Sequence, residues 1–214
     1  MKNALIWGAT GAIGQACLKK LNAEGWTTIG IARDASTIEN QANFILETPL
    51  DEPHKIEQTI YIVSQQVGEI ALWIYAVGDI VSMKVDEMEP QDWGRILSAN
   101  LTGAYHAVHY SLPLLSENAH IFFVGAISER LKLPGLSAYA ASKSGLEAFA
   151  TALSKEQRKK LITVVRPGAV KTPFWEKVPM RLPANAASPE KVAEKIFEAY
   201  QTGHKGQLDL IQGS

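Results

Sequence analysis

A short apolar run, Ala4–Trp7, passes directly into Gly8-Ala9-Thr10-Gly11-Ala12-Ile13-Gly14 and then into a helical period marked by Ile13, Cys17 and Leu21. A strand, a glycine turn and a helix in that order restrict the fold more than any other stretch of the chain. Glycine allows the tight turn and the close approach of backbone to a bound group, and the first N–H groups of a helix have no acceptor within it. Negative charge is favoured at that end. The turn is therefore a candidate cradle for a pyrophosphate, made of Gly8, Thr10, Gly11, Ile13 and Gly14. Glycines at three-residue intervals can also serve packing alone; what favours a cradle is their position after a strand and at the opening of a helix.

The rest of the chain repeats this alternation. Strand-like runs fall at Ala4–Trp7, Thr27–Ile31, Asn43–Leu46, Ile70–Ala76, His120–Val124, Ile162–Val165 and Gln207–Leu210, with a helix expected between each strand and the next. This order predicts an α/β fold: a Rossmann-type doubly wound parallel sheet of about seven strands with helices on both faces. Trp93, Leu97, Leu101, Ala104, Val108, Leu112 and Leu115 predict one long helix that packs inward and is interrupted near Pro113. A second long helix runs from about Ser137 to Arg158, where Arg158-Lys159-Lys160 suits a helix C-terminus. At 214 residues the chain reads as a single domain, 1–214, since a second would be cramped. The Pro-rich segment 173–189 is its one long irregular stretch and a candidate substrate-binding loop.

The 21 basic and 22 acidic residues are scattered and nearly cancel, so no basic field invites a polyanion and no nucleic-acid partner is expected. The single cysteine, Cys17, lies on an apolar helix face and reads as a small buried hydrophobe in a reducing compartment. No stretch nears the ~20 apolar residues of a membrane span, and a cytoplasmic location with no membrane partner is expected. In the 173–189 segment, Phe174, Trp175, Val178, Met180 and Leu182 offer an apolar wall whose obvious fixed charges are Lys177 and Arg181. That wall suits a small aromatic or aliphatic carbonyl compound or a flat heterocycle; packing of the same side chains onto the core is an equal reading.

Discrimination between the two nicotinamide dinucleotides is read at the end of the second strand, Ile31-Ala32-Arg33-Asp34. If Ala32 stands where an acid would bind the ribose 2′-hydroxyl, Arg33 is free to meet a 2′-phosphate, and NADP(H) is expected in preference to NAD(H). Asp34 supplies the competing reading, by pairing with Arg33 or by taking the acid's role after a one-residue shift.

Tyr139-Ala140-Ala141-Ser142-Lys143 carries the sharpest chemical signal. Four residues apart on a helix, the phenol and the ammonium share a face, and a positive neighbour lowers the phenol pKa toward the working range of a proton donor. With the glycine turn, this pair and Arg166-Pro167-Gly168-Ala169-Val170-Lys171-Thr172, the chain resembles the short-chain dehydrogenase/reductase family along essentially its whole length. The resemblance implies that Tyr139 exchanges a proton with a carbonyl oxygen while hydride moves to or from the nicotinamide. It implies that Lys143 tunes Tyr139 and binds the nicotinamide ribose, and that Asn100 holds a relay water. By the same likeness Pro167, Gly168, Val170 and Thr172 hold the carboxamide, and Ala76 and Gly78 line the cofactor. Relatives pair through their two long helices, so a homodimer or homotetramer is expected.

Two departures stand out. Ala126 occupies the place of the family's active-site serine; the nearest hydroxyl, Ser128, two residues later, could replace it only if the chain stays extended beyond the strand. Tyr75-Ala76-Val77-Gly78 stands where the family has Asn-Asn-Ala-Gly, which removes side chains that brace the sheet. Hydride transfer to a small carbonyl/alcohol or pteridine-like substrate is the leading reading, and a dinucleotide-binding sensor or regulatory protein without turnover is the alternative.

Overall fold

A computed structural model describes residues 2–38 and 41–210. Seven strands form one parallel sheet in the order β3-β2-β1-β4-β5-β6-β7: β1 Asn3–Trp7, β2 Thr27–Ala32, β3 Phe44–Glu47, β4 Ile70–Tyr75, β5 Leu115–Val124, β6 Leu161–Pro167 and β7 Gly206–Leu210. The helices are α1 Ala12–Ala23, α2 Pro53–Gln66, α3 Pro90–Leu97, α4 Gly103–Ser111, α5 Ser137–Glu156 and α6 Pro189–Thr202. Successive side chains of a strand point to opposite faces, and both faces here are covered, so the central strands are apolar almost throughout. Leu5, Trp7, Trp73, Tyr75, Ile121 and Phe123 pack on the face of α2, α4 and α5. Ala4, Ile6, Leu72, Ile74, Phe122 and Val124 pack on the face of α1 and α6. The doubly wound fold is as expected, and the sheet order reverses between β1 and β4, the crevice where ligands bind in open parallel sheets.

The elements differ from expectation in three places. Between β2 and β3 the described residues hold one short 3₁₀ turn, Ser36–Ile38, in place of a helix; the eleven-residue connection, 33–43, is too short for a full crossover helix with its two loops. The long helix before β5 is divided by a π-helical turn, Ser98–Thr102, between α3 and α4. An added residue in a turn rotates the helix before it by about 100° relative to the helix after it, and Trp93 accordingly lies 40% exposed instead of facing inward. Leu115, expected at that helix's end, already pairs with Ile70 as the first residue of β5.

Candidate active site

The strands end nearly level, Trp7 pairing with Ile31 and Tyr75, and Tyr75 with Phe123, so the loops after them meet at one edge of the sheet. Gly8, at φ +80°, donates from its N–H to Ile31 O at 2.9 Å, and Ala76 N–H donates to Trp7 O at 2.9 Å. A Cβ on Gly8 would fall 2.7 Å from Val77 N, and one on Gly14 would fall 2.2 Å from Gly8 O, so both glycines are required by the protein's own packing. Gly11 is different. It is exposed at the N-cap of α1, makes no side-chain cap, and a Cβ there would meet only Gly8 O at 3.3 Å and Ala76 O at 4.0 Å. The N–H groups of Ala12, Ile13 and Gly14, in the first turn of α1, have no acceptor within the helix and lie next to the exposed Gly11, where an anion can approach. Gln15 Nε2 donates to Thr10 O at 2.8 Å and fixes the turn's outer edge.

At the end of β2, Ala32 is buried while Arg33 is exposed and makes no ion pair among the described residues. Asp34 does not take Arg33 as partner: its Oδ1 accepts from Ser36 N–H at 3.0 Å, and hydrogen bonding to Ser36 holds its carboxyl below the usual range. Arg33 remains available to a phosphate.

The π-helical turn places Asn100, fully buried, beside the loop after β4. Its Nδ2 donates to Asp79 O at 2.7 Å and Ile96 O at 2.9 Å, and its Oδ1 accepts from Asp79 N–H at 3.4 Å. Both amide protons are thereby used, which leaves the side chain one acceptor site with which to hold a water. Tyr75 takes over a bracing role: its hydroxyl donates to Ala99 O at 2.7 Å, tying β4 to the π-helical turn, and burial pushes its phenol far above the usual value. A Cβ on Gly78 would lie 3.4 Å from Asn100 Oδ1 and 3.8 Å from Lys143 Nζ, so this glycine stands between the two side chains.

Tyr139 and Lys143 lie on one buried face of α5, with Lys143 Nζ 5.7 Å from the Tyr139 ring centroid and donating to Val124 O at 3.0 Å. Burial lowers the Lys143 pKa to about 8, opposed by the charge of Glu147. The phenol departs from expectation, for burial pushes Tyr139 above its ordinary value instead of below it. Ile80, Ile96, Leu136 and Ala138 surround it, and Phe174 packs on it at 5.4 Å between centroids, so loss of water outweighs the ammonium. β5 ends at Val124, Gly125 N–H still donates to Val165 O, and after Ile127, at φ −77° and ψ 85°, Ser128 opens a 3₁₀ turn, Ser128–Leu131. Ser128 is itself buried, two residues beyond the buried Ala126.

After β6, Pro167 leads through Gly168 to an isolated parallel bridge between Val170 and Ala187. Ala169 O and Lys171 N–H serve that bridge, so the N–H and carbonyl of Val170 face away from it. The carbonyl accepts from Trp175 Nε1 at 2.9 Å, while the N–H is free to donate to a carboxamide. Beyond Thr172, residues 173–177 form a 3₁₀ turn tied across the site by Lys177 Nζ to Asp79 Oδ1 at 2.6 Å. Arg95 bonds the other Asp79 oxygen. The donors, the exposed turn at Gly11 and the free Arg33 fit a dinucleotide. Asp79 and Glu147 were missed by sequence reading, yet Glu147 merely continues the four-residue spacing of Tyr139 and Lys143.

Residues 2–182 match the sequence profile of a family described as short chain dehydrogenase. An uncharacterised oxidoreductase of Staphylococcus aureus is 25% identical over 182 residues, 80% of this chain and 79% of that protein. The 3-ketoacyl-(acyl-carrier-protein) reductase of Brucella melitensis, complexed with NADH, superposes with a TM-score of 0.87 at 20% identity, covering 99% of this chain and 97% of its own. An alcohol dehydrogenase of the archaeon Thermococcus sibiricus, complexed with 5-hydroxy-NADP, does so at 0.87 and 20%, covering 98% and 96%. Among the described residues no helix is long and apolar enough to cross a membrane.

Proposed function

The chain belongs to the short-chain dehydrogenase family and is an oxidoreductase of that family; from that premise we propose that it passes hydride between NADP(H) and a small, uncharged carbonyl compound or pteridine-like heterocycle. One observation carries the reading: Tyr139, Lys143, Asn100 and Gly78 converge at the carboxyl ends of β4 and β5, under an apolar cup.

The N–H groups of Ala12, Ile13 and Gly14 receive the pyrophosphate, Arg33 the 2′-phosphate, and Val170 N–H with Thr172 the carboxamide. Dinucleotides held by two similar structures support this assignment of the cradle. When bound, the dinucleotide supplies or accepts the hydride. Tyr139 donates the proton to the carbonyl oxygen in reduction and takes it back in oxidation. Lys143 has one ammonium proton on Val124 O and two left, enough to reach a ribose hydroxyl and to favour the phenolate that donation leaves. Asn100 fixes the loop that carries Gly78 and Asp79. Phe174, Val178 and Ile80 select for an apolar substrate, and the 173–189 segment covers it.

Two copies pair through α4 and α5, whose outer faces leave Tyr105 47% exposed beside Phe149. The sensor reading draws on Ala126, which offers no hydroxyl, and on Phe174 covering Tyr139. NADPH oxidation with a panel of carbonyl compounds and quinonoid pterins separates the two. Turnover by the parent protein, with kcat reduced about 100-fold or more in Tyr139→Phe and NADPH affinity kept, is the expected result. Equal turnover in that variant ends the catalytic assignment, and binding without turnover in the parent favours a sensor.

A further inference from the structure

Tyr139, Lys143 and Glu147 succeed one another at four-residue intervals along α5, with exposures of 8%, 3% and 9%. A carboxylate so deep needs compensation. Glu147 Oε2 accepts from Arg166 Nη1 at 3.1 Å and Gln207 Nε2 at 3.4 Å, yet its Oε1 is buried with no hydrogen-bond partner. Arg166 does not depend on Glu147. Its Nε and Nη2 are held by the two oxygens of Asp209 at 2.7 and 3.0 Å, and Nη1 also reaches Glu129 at 3.0 Å. Three carboxylates thus surround one guanidinium, and the cluster keeps surplus negative charge one helical turn from Lys143.

Among the described residues no carboxylate forms an ion pair with Lys143. On α5 Lys143 lies beside Tyr139, with Glu147 one turn further on; from β5 it meets the Val124 carbonyl, and Gly78 stands between it and the neutral Asn100 of the π-helical turn. The carboxylate of Asp79, on the loop after β4, is committed to Lys177 and Arg95. From β6 comes Arg166, a like charge already neutralised by its carboxylates.

We propose that Glu147 is a positioning residue for proton transfer, its buried carboxylate keeping Lys143 charged from one turn behind it. The inference rests on the catalytic reading of Tyr139 and Lys143. Burial draws the Lys143 pKa down to about 8, and the charge of Glu147 is what resists that fall. Without the carboxylate the pKa falls further, so Lys143 turns neutral at a lower pH. Carbonyl reduction then declines at a lower pH as well, because the ammonium that assists Tyr139 is gone sooner.

The test is an NMR titration of the intact protein labelled with ¹³Cε-lysine, the Lys143 signal being identified by its absence in Lys143→Met. Glu147→Gln is expected to lower the Lys143 midpoint by about one pH unit, a tenfold change in its ionisation constant. Glu147→Asp keeps the charge but withdraws it, and is expected to shift the midpoint less, in the same direction. The alkaline limb of kcat/KM for NADPH-dependent reduction should move with the midpoint. An unmoved midpoint overturns the proposal, and so does a uniform loss of rate with the limb in place, which is what a purely structural role gives. If Glu147→Gln does not fold, Glu147→Asp decides by the same criterion. The titration needs no substrate, so absence of turnover with every carbonyl compound would remove the catalytic reading without deciding the midpoint.

Discussion

Gly11 and Gly14 belong to one turn but answer to different forces. At Gly14 a methyl group would sit 2.2 Å from the Gly8 carbonyl oxygen and 3.0 Å from Ala9 Cα, against backbone and with no flexible side chain to yield. Gly14→Ala must therefore part α1 from β1, at a cost of about 3 kcal/mol, the upper end for overpacking a close contact. At Gly11 the same methyl group finds one contact at 3.3 Å and otherwise open space, so Gly11→Ala should fold with nearly the parent's stability and lose affinity for NADPH. Urea denaturation and fluorescence titration of both variants check the pair; equal destabilisation, or unimpaired binding in Gly11→Ala, would contradict it. Both glycines were visible in the sequence, but their division of labour was not, because it depends on which atoms of β1 and the loop after β4 come back against them. Tyr139 and Lys143 were legible in the same limited sense. Spacing placed them on one face of α5, whereas the direction of the phenol's shift depended on Phe174 and Leu136, brought in from elsewhere in the chain.

The elements of the sheet were legible because parallel strands buried on both faces are nearly continuous apolar runs, and seven such runs stand clear of helical periods. What escaped were features that periodicity averages over. The π-helical turn at Ser98–Thr102 adds one residue to a helix, too little to interrupt an apolar pattern of three- and four-residue intervals, yet it decides where Asn100 points. Tyr75 looked like the loss of a bracing asparagine; in the fold it braces a different element, through its bond to Ala99 O. Tyr75→Phe removes that donor from a part-buried acceptor, and a cost of about 1 kcal/mol is expected for the lost bond. The kcat should drop several-fold as Asn100 and Gly78 lose their fixed spacing. Chemical denaturation and steady-state rates on the one variant are sufficient: unchanged stability would show that the hydroxyl is not the tie between β4 and the turn.

For the molecule as a whole, the groups that burial has robbed of charge set the response to pH. His120 sits fully buried in β5, stacked on Phe122 at 4.0 Å, with Nε2 on Thr163 Oγ1 at 2.9 Å and Nδ1 without a partner. Burial first, and then the neighbouring His204, push its pKa down from 6.5 to about 3. A group held neutral by the fold stabilises it fully above its unfolded pKa and costs stability as pH falls, since only the unfolded chain then takes up the proton. Stability should therefore decline from about pH 6.5 downward, at up to about 1.4 kcal/mol per pH unit from this one histidine. The carboxyls of Glu129, Glu190 and Glu194 are lowered and add their own loss only below their ordinary value of 4.5, so the range between 6.5 and 4.5 belongs to the histidine. Lys143 acts in the same sense at the other end, for it too is held toward neutrality and adds stability as pH rises through about 8, until above pH 9 the buried Cys17 thiol, raised from 9.0 to about 12, works in the opposite sense. Denaturation midpoints measured from pH 8 to 4.5 for the parent and for His120→Phe give a direct comparison. The phenylalanine keeps the stacking on Phe122, and the Thr163 hydroxyl retains its bond to His204 O, so the variant should lose most of the slope. A slope as steep as the parent's would mean that protons are taken up at some group other than His120.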